Sequence, residues 1–366
     1  MSGPQPRAGV MDMPAYVGGR EQVEGVANPI KLSANENPLG GSPKALAELK
    51  AFAGTELYPD GHATALREAL AELNNINAAQ IVCGSGSDEI LNLLTQGYLS
   101  VGDEAIHTEH GFLVYKLATG AAGGVPVCVA EENLTANVDA ILAAVTAKTK
   151  LVFLANPNNP TGTMLPQSEI DRLHAGLPDS TILVLDGAYA EYVDPADYPA
   201  GFDMVDKFAN VVTTRTFSKA YGLAALRVGW GYCPPAIAEV LNRLRGPFNV
   251  NAVGLAVATA AVHDQAHIAD SRAHNAQWRD WLMQQLAALD FTIRPSQANF
   301  ILLEFADPQQ AAAAEMFMSR HGIIPRDLVA YGLPKALRLS IGTEAANRQA
   351  VAILEKFRNE TASETA

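Results

Sequence analysis

The chain has 366 residues, enough for two sizeable cores, and 48% of them are apolar, which excludes a disordered polypeptide. A formal net charge of −13 opposes binding to phosphodiester backbones and to anionic bilayers, so neither nucleic acid nor a membrane is an expected partner. Cys83, Cys128 and Cys233 are odd in number and form no CxxC, so they read as buried free thiols of a reducing cytoplasm, not as a disulfide framework or a zinc site.

The N-terminus has no apolar core of signal-peptide length. Residues 1–30 carry Pro and Gly with little periodicity and read as an arm lying on another part of the protein. Residues 42–74 hold two helical patterns separated by a break at Pro59, Asp60 and Gly61. QIVCG then starts an alternation of short β-rich runs with helices: EAIHTE, VPVCVA, KLVFLANP, TILVLDG and NVVTTRTFS follow in turn. Such alternation predicts βαβ units and a mainly parallel sheet, and LVFLA and ILVLD have the two-sided apolar character of its central strands. Residues 31–248 are therefore expected to form a large α/β domain. Near Gly246 the texture changes. A long Ala-rich helix over 251–289, the strands FTIRP and ANFILLEF, a helix over 308–321, LRLSIG and a last helix to about residue 357 predict a smaller α+β domain over 249–366. The longest apolar run, AVGLAVATAAV from Ala252, is too short to span a bilayer, and a cytoplasmic protein is expected.

Ligands of an open parallel sheet bind at the carboxyl ends of its strands, so the residues leaving each strand are the informative ones. Gly84-Ser85-Gly86-Ser87-Asp88-Glu89 before a helix is either a phosphate cradle or a plain capped turn. Asn156-Pro157-Asn158-Asn159-Pro160-Thr161-Gly162 is a rigid loop that can present the Asn159 amide to a ring oxygen. Asp186, leaving an apolar strand with Tyr189 three residues on, is an N-cap or a partner for a protonated pyridine nitrogen. Lys219, flanked by hydroxyls in Thr216-Phe217-Ser218-Lys219, can form a Schiff base with an aldehyde if its pKa is lowered. Arg227 could supply that positive charge and grip a phosphate. Phosphate cradle, amide, carboxylate and lysine in this order are the partners that a phosphorylated pyridine aldehyde requires.

With these motifs, and with NENP (35–38), YPDG (58–61), DGAYAEY (186–192) and ALRLSIGT (336–343), the chain resembles the fold-type I pyridoxal-phosphate aminotransferases, and within them the histidinol-phosphate subgroup. The resemblance spans residues 31–343. It implies a large domain with a seven-stranded sheet, a small C-terminal domain and pyridoxal 5'-phosphate bound through Lys219, which also shuttles the proton. It implies that Asp186 pairs with the pyridine nitrogen, that Asn159 and Tyr189 bond the ring hydroxyl and that Phe112 stacks on the ring. The Ser87 and Asp88 amides, Thr216, Ser218 and Arg227 would hold the cofactor phosphate. Tyr58 would reach the site of a partner subunit, which implies a homodimer. Arg338 would bind the substrate carboxylate and Arg326, following Pro325, the substrate phosphate; Tyr16, Asn35, Asn159 and Tyr58 would complete the substrate site. The implied substrates are histidinol phosphate and glutamate or 2-oxoglutarate, in a two-stage reaction of histidine biosynthesis. Transamination of phenylalanine or tyrosine is the alternative, with Arg326 as discriminator. Threonine-phosphate decarboxylation would be marked by release of carbon dioxide. A cofactor-sensing transcription regulator would need a basic DNA-binding module, for which the arm is too short. His263 and His267 are four apart on a helix but lack the glutamate of a zinc motif, and no metal site is expected.

Overall fold

The computed structural model of the protein describes residues 3–7, 9–15, 18–194, 196–197 and 201–364, with side chains as far as 361. After β1 (Ile30–Lys31) come α1 (Pro43–Ala51) and α2 (Thr64–Asn74). Ser42 caps α1 by accepting from the Ala45 N–H, with Pro43 in the first turn, where its missing N–H costs nothing. The alternating part then runs β2 (Ile81–Gly84), α3 (Ser87–Tyr98), β3 (Glu104–Thr108), α4 (Leu113–Ala122), β4 (Val125–Val129), the small hairpin β5 (Glu131–Glu132) and β6 (Thr135–Ala136), and α5 (Val138–Ala143). It continues as β7 (Thr149–Ala155), α6 (Gln167–Gly176), β8 (Ile182–Asp186), α7 (Phe202–Lys207), β9 (Val211–Thr216), β10 (Gly229–Tyr232) and α8 (Pro235–Leu244).

The expected seven-stranded sheet has the order β2-β10-β9-β8-β7-β3-β4. Only β10 runs antiparallel to its neighbours, so β2, β3, β7, β8 and β9 all deliver their carboxyl ends to one edge. The strand β10 does not figure among those read from the sequence, because GWGY lacks β-branched residues. Its glycine is required: a Cβ on Gly229 would lie 2.2 Å from the Ser87 nitrogen, so glycine lets the start of α3 approach the sheet.

The C-terminal part comprises α9 (Ala252–Val262), α10 (Gln265–Ala288), β11 (Thr292–Arg294), β12 (Phe300–Glu304), α11 (Pro308–Arg320), β13 (Ile323–Ile324), β14 (Arg326–Asp327), β15 (Ala336–Ser340) and α12 (Glu344–Glu364). A four-stranded antiparallel sheet, β11-β12-β15-β14, is covered by α10, α11 and α12, and β1 pairs in parallel with β13. The single helix expected over 251–289 is two helices, interrupted at His263 and Asp264. Val257, Ala258, Ala261 and Val262 of α9 share the core of the seven-stranded sheet, while the second core begins with Trp278 and Leu282 and takes Leu32 from the N-terminal side. The change of packing partner thus falls within α10, and Ile30 to Leu32 pack and pair with elements of the small unit.

Cys83 and Cys233 are buried free thiols, but Cys128 is exposed on β4, an edge strand that, unlike the other edge strand β2, carries little cover at that position. No helix among the described residues is long and apolar enough to cross a membrane.

Candidate active site

A cavity of about 300 Å³ opens at the carboxyl edge of the large sheet, between it and the small unit. Lys219 reaches it from the loop after β9. Gly222 turns that loop tightly at φ +67°, donating its N–H to the Lys219 carbonyl (2.9 Å), and a Cβ there would lie 2.0 Å from the Gly40 carbonyl oxygen. The Lys219 Nζ donates to the Ala34 carbonyl at 3.1 Å. Burial, aided by the charge of Arg338, lowers its pKa to about 8.

Asp186 ends β8 fully buried. Its Oδ2 accepts from the Tyr115 hydroxyl (2.6 Å); its Oδ1 accepts from Thr214 Oγ1 (3.0 Å) and the Ala188 N–H (3.2 Å). Burial raises its pKa, and the Tyr115 and Thr214 hydrogen bonds oppose that rise. Tyr115 is held by a parallel stack on Phe153 (4.8 Å) and by the edge of Phe112 (5.9 Å).

Beside this carboxylate, Gly86 (φ +81°) leads into α3, whose first residues are Ser87 and Asp88. A Cβ on Gly86 would lie 2.4 Å from Arg227 Nη2, so the glycine makes room for the guanidinium over the helix N-terminus. Arg227 donates to Ser218 Oγ (3.1 Å) and to Asp88 Oδ2 (3.3 Å). Helix N–H groups, the Thr216 and Ser218 hydroxyls and one arginine make a cradle for an anion.

On the opposite wall, Arg326 and Arg338 face each other across β14 and β15, both nearly buried. Arg338 donates to Asn159 Oδ1 and to the Ser33 carbonyl (2.8 Å), and lies over the Phe300 ring at 5.2 Å. Asn156 and Asn158 serve the loop itself: Asn156 bonds Leu165 in both directions, and Asn158 donates to Thr161 Oγ1.

Lys219, Asp186, Tyr189, Ser87, Asp88, Phe112, Asn159, Thr216, Ser218, Arg227, Asn35, Arg326 and Arg338 therefore all line one cavity. Tyr58 does not: it is 83% exposed, stacked on Phe248 at 4.6 Å. Tyr16 lies outside the described residues. Sequence reasoning missed Tyr115, Thr214, Ser33 and Tyr331. Of these, only Tyr115 carried a signal, one helical turn beyond Phe112 in HGFLVY. The histidines have other partners: His267 and His274 bond the Gly40 and Gly342 carbonyls, and His110 bonds the Tyr331 carbonyl.

Such a cavity can hold an anion at one end, an aromatic ring carrying a basic nitrogen in the middle, and a carbonyl group within reach of a weakly basic amine. Because the Lys219 pKa is lowered to about 8, its reaction with an aromatic aldehyde should accelerate about tenfold per pH unit up to pH 8 and then level off. Rates of visible-absorbance growth between pH 6 and 11 test this; a rise continuing to pH 10.5 would mean an ordinary, solvated lysine.

The family model described as aminotransferase class I and II matches residues 27–354. The histidinol-phosphate aminotransferase of Dinoroseobacter shibae is 51% identical over 358 residues, covering 98% of this chain and 99% of that protein. That of Rhodopseudomonas palustris is 50% identical over 361 residues, covering 98% and 99%. Among solved structures, histidinol-phosphate aminotransferase from Sinorhizobium meliloti in complex with pyridoxal-5'-phosphate superposes with a TM-score of 0.90 at 28% identity, covering 98% of this chain and 99% of that one.

Proposed function

The chain belongs to the class I and II aminotransferase family, and from that premise we propose that it exchanges an amino group between histidinol phosphate and 2-oxoglutarate, using pyridoxal phosphate held by Lys219. The observation that carries the choice of substrate is the pair Arg326 and Arg338, adjacent across two strands in the cavity that Lys219 enters. Two guanidinium groups suit a phosphate ester in one half-reaction and the carboxylates of glutamate in the other. The names of the half-identical relatives point the same way.

The residues present fit the cofactor. The cradle of α3, Thr216, Ser218 and Arg227 would take its phosphate, Asp186 its pyridine nitrogen, and Phe112 one ring face. When bound, pyridoxal phosphate supplies the aldehyde that Lys219 captures and a ring that accepts the electron pair left by breaking the substrate Cα–H bond. Asp186 keeps a proton at the ring nitrogen, and Tyr115 and Thr214 hold its carboxylate in place for that task. The Lys219 amine, with its lowered pKa, takes the Cα proton and returns it elsewhere. Arg338 orients the substrate anion, steadied by Asn159 and Ser33.

The test is to load the protein with cofactor and add histidinol phosphate, glutamate or phenylalanine separately while following the visible band. Bleaching by histidinol phosphate well ahead of phenylalanine supports this reading. The reverse order would make it an aromatic aminotransferase, and carbon dioxide release a decarboxylase. In Arg326→Ala, the efficiency with histidinol phosphate should fall about 10- to 100-fold, the loss of one buried charge-assisted pair, while phenylalanine changes little. Equal losses for both would remove Arg326 from phosphate recognition.

We further propose that the protein works as a homodimer in a reducing cytoplasm, where three free thiols are stable. The helix α9 is apolar on every side, yet Val253, Leu255 and Ala256 are only partly covered, and Leu46 and Leu49 of α1 beside it are exposed. A second copy covering this face would accept Tyr58 from its partner, which accounts for its position outside its own cavity. Leu255→Asp should therefore shift sedimentation from dimer to monomer; a variant that stays dimeric would put the interface elsewhere.

A further inference from the structure

Three consecutive residues of the NENP region each hold a different functional side chain. The Ser33 carbonyl accepts from Arg338 (2.8 Å), the Ala34 carbonyl accepts from Lys219 (3.1 Å), and Asn35 Nδ2 donates to the Tyr189 hydroxyl oxygen (3.0 Å). The segment is itself anchored to the small unit: Ser340 N–H donates to the Leu32 carbonyl (2.9 Å) and Asn299 Nδ2 to the Asn35 carbonyl (3.0 Å). Asn35 is 1% exposed and sits at φ +56°, a left-handed conformation that asparagine tolerates better than most residues.

The hydrogen bonds of this knot form one consistent set. The Asn35 backbone N–H donates to Ser340 Oγ (2.9 Å), which uses that oxygen as an acceptor. The Ser340 hydroxyl hydrogen then goes to Asn35 Oδ1 (3.1 Å). In this arrangement the Asn35 side-chain oxygen faces Ser340 and its amide NH₂ faces the Tyr189 hydroxyl oxygen. A phenol oxygen that accepts from an amide directs its own hydrogen elsewhere, and Tyr189 lines the cavity.

We propose that Asn35 is a positioning residue rather than the substrate-binding residue the sequence suggested: by donating to the Tyr189 oxygen it makes Tyr189 a hydrogen-bond donor into the cavity, aimed at the ring oxygen of the cofactor. Burial keeps the phenol protonated, as this role requires. The inference rests on the pyridoxal-phosphate reading given above.

The decisive variant is Asn35→Asp. It keeps the shape and the Ser340 bond but has no donor, so Tyr189 must give its hydrogen to the new carboxylate. The readout is the pH titration of the visible absorbance of the cofactor-loaded protein. The ring oxygen is shared between the Tyr189 hydrogen and the proton on the nitrogen joining Lys219 to the cofactor. Without the Tyr189 donor it holds that proton more tightly. Tyr189→Phe should therefore move the titration midpoint up by about one pH unit, the worth of one hydrogen bond. Asn35→Asp should move it as far, and the double variant no further than Tyr189→Phe alone. Asn35→Ala, which adds no charge, should give a smaller shift that also vanishes on the Tyr189→Phe background. A wild-type midpoint in Asn35→Asp overturns the proposal, as does a shift that adds to that of Tyr189→Phe, since a carboxylate acting by charge alone would not need the phenol. If Asn35→Asp does not fold, the Asn35→Ala pair decides by the same criterion. Wild-type protein that gains no visible band with cofactor would overturn the cofactor reading itself, a failure distinct from either.

Discussion

Lys219→Ala is expected to lower transamination by at least about 10⁴-fold while leaving the protein folded, because in the proposed mechanism one side chain supplies both the covalent tether and the proton-transfer base. Stability should not suffer. The Lys219 pKa in the fold, about 8, lies below its ordinary value of 10.5, so burial penalises the charged form. That penalty is complete below pH 8, where the amine is protonated both folded and unfolded, and is relieved as pH rises from 8 towards 10.5. Removing the amine should accordingly leave the thermal midpoint unchanged or raised at pH 7, with less gain at pH 10. A small aliphatic amine added to solution should restore part of the proton transfer. Turnover within tenfold of wild type would remove Lys219 from the chemistry, and a variant that fails to fold would make it a structural residue.

The legible part of the site is the part that follows from strand exits. Lys219, Asp186, Asn159 and the α3 cradle each leave a strand of the same sheet, and parallel strands deliver their ends to one edge, so order along the chain became proximity in space. Tyr115 does not leave a strand. It reaches Asp186 from the first turn of α4 across Phe153, a contact that only the packing of that helix creates. Asn35 was legible as a motif residue but its contacts were not, because its partners Ser340 and Tyr189 are distant in sequence. The same limit explains the fold. The apolar character of α9 identifies a buried helix, yet nothing in AVGLAVATAAV says which sheet it covers, and the structure gives it to the large one. Gly229 and Gly231 hid β10 because the glycine that its close contact with α3 demands is the residue that weakens a strand signal.

Arg338→Ala should be strongly damaging, though less so than loss of the lysine, for reasons that separate it from Arg326. Arg338 is 5% exposed and is fixed by Asn159, Ser33 and the Phe300 ring, so its guanidinium is oriented before any substrate arrives. Truncating one member of a buried, hydrogen-bonded charge pair costs about 2–5 kcal/mol, or roughly 30- to 5,000-fold in kcat/KM. The loss should fall on every amino donor, phenylalanine included, whereas that of Arg326→Ala should concentrate on the phosphate ester. Arg338→Lys should recover little, because a point charge cannot reproduce the planar fork that engages Asn159 and Ser33 on one side and an oxyanion on the other. A second effect is independent of substrate. The Arg338 charge helps to lower the Lys219 pKa, so Arg338→Ala should move the pH dependence of aldehyde capture upward from about 8. An unchanged capture profile with intact phenylalanine turnover would mean that Arg338 holds the two units together and nothing more. An upward profile with losses for all donors would identify one arginine that both receives the substrate anion and tunes the amine that attacks it.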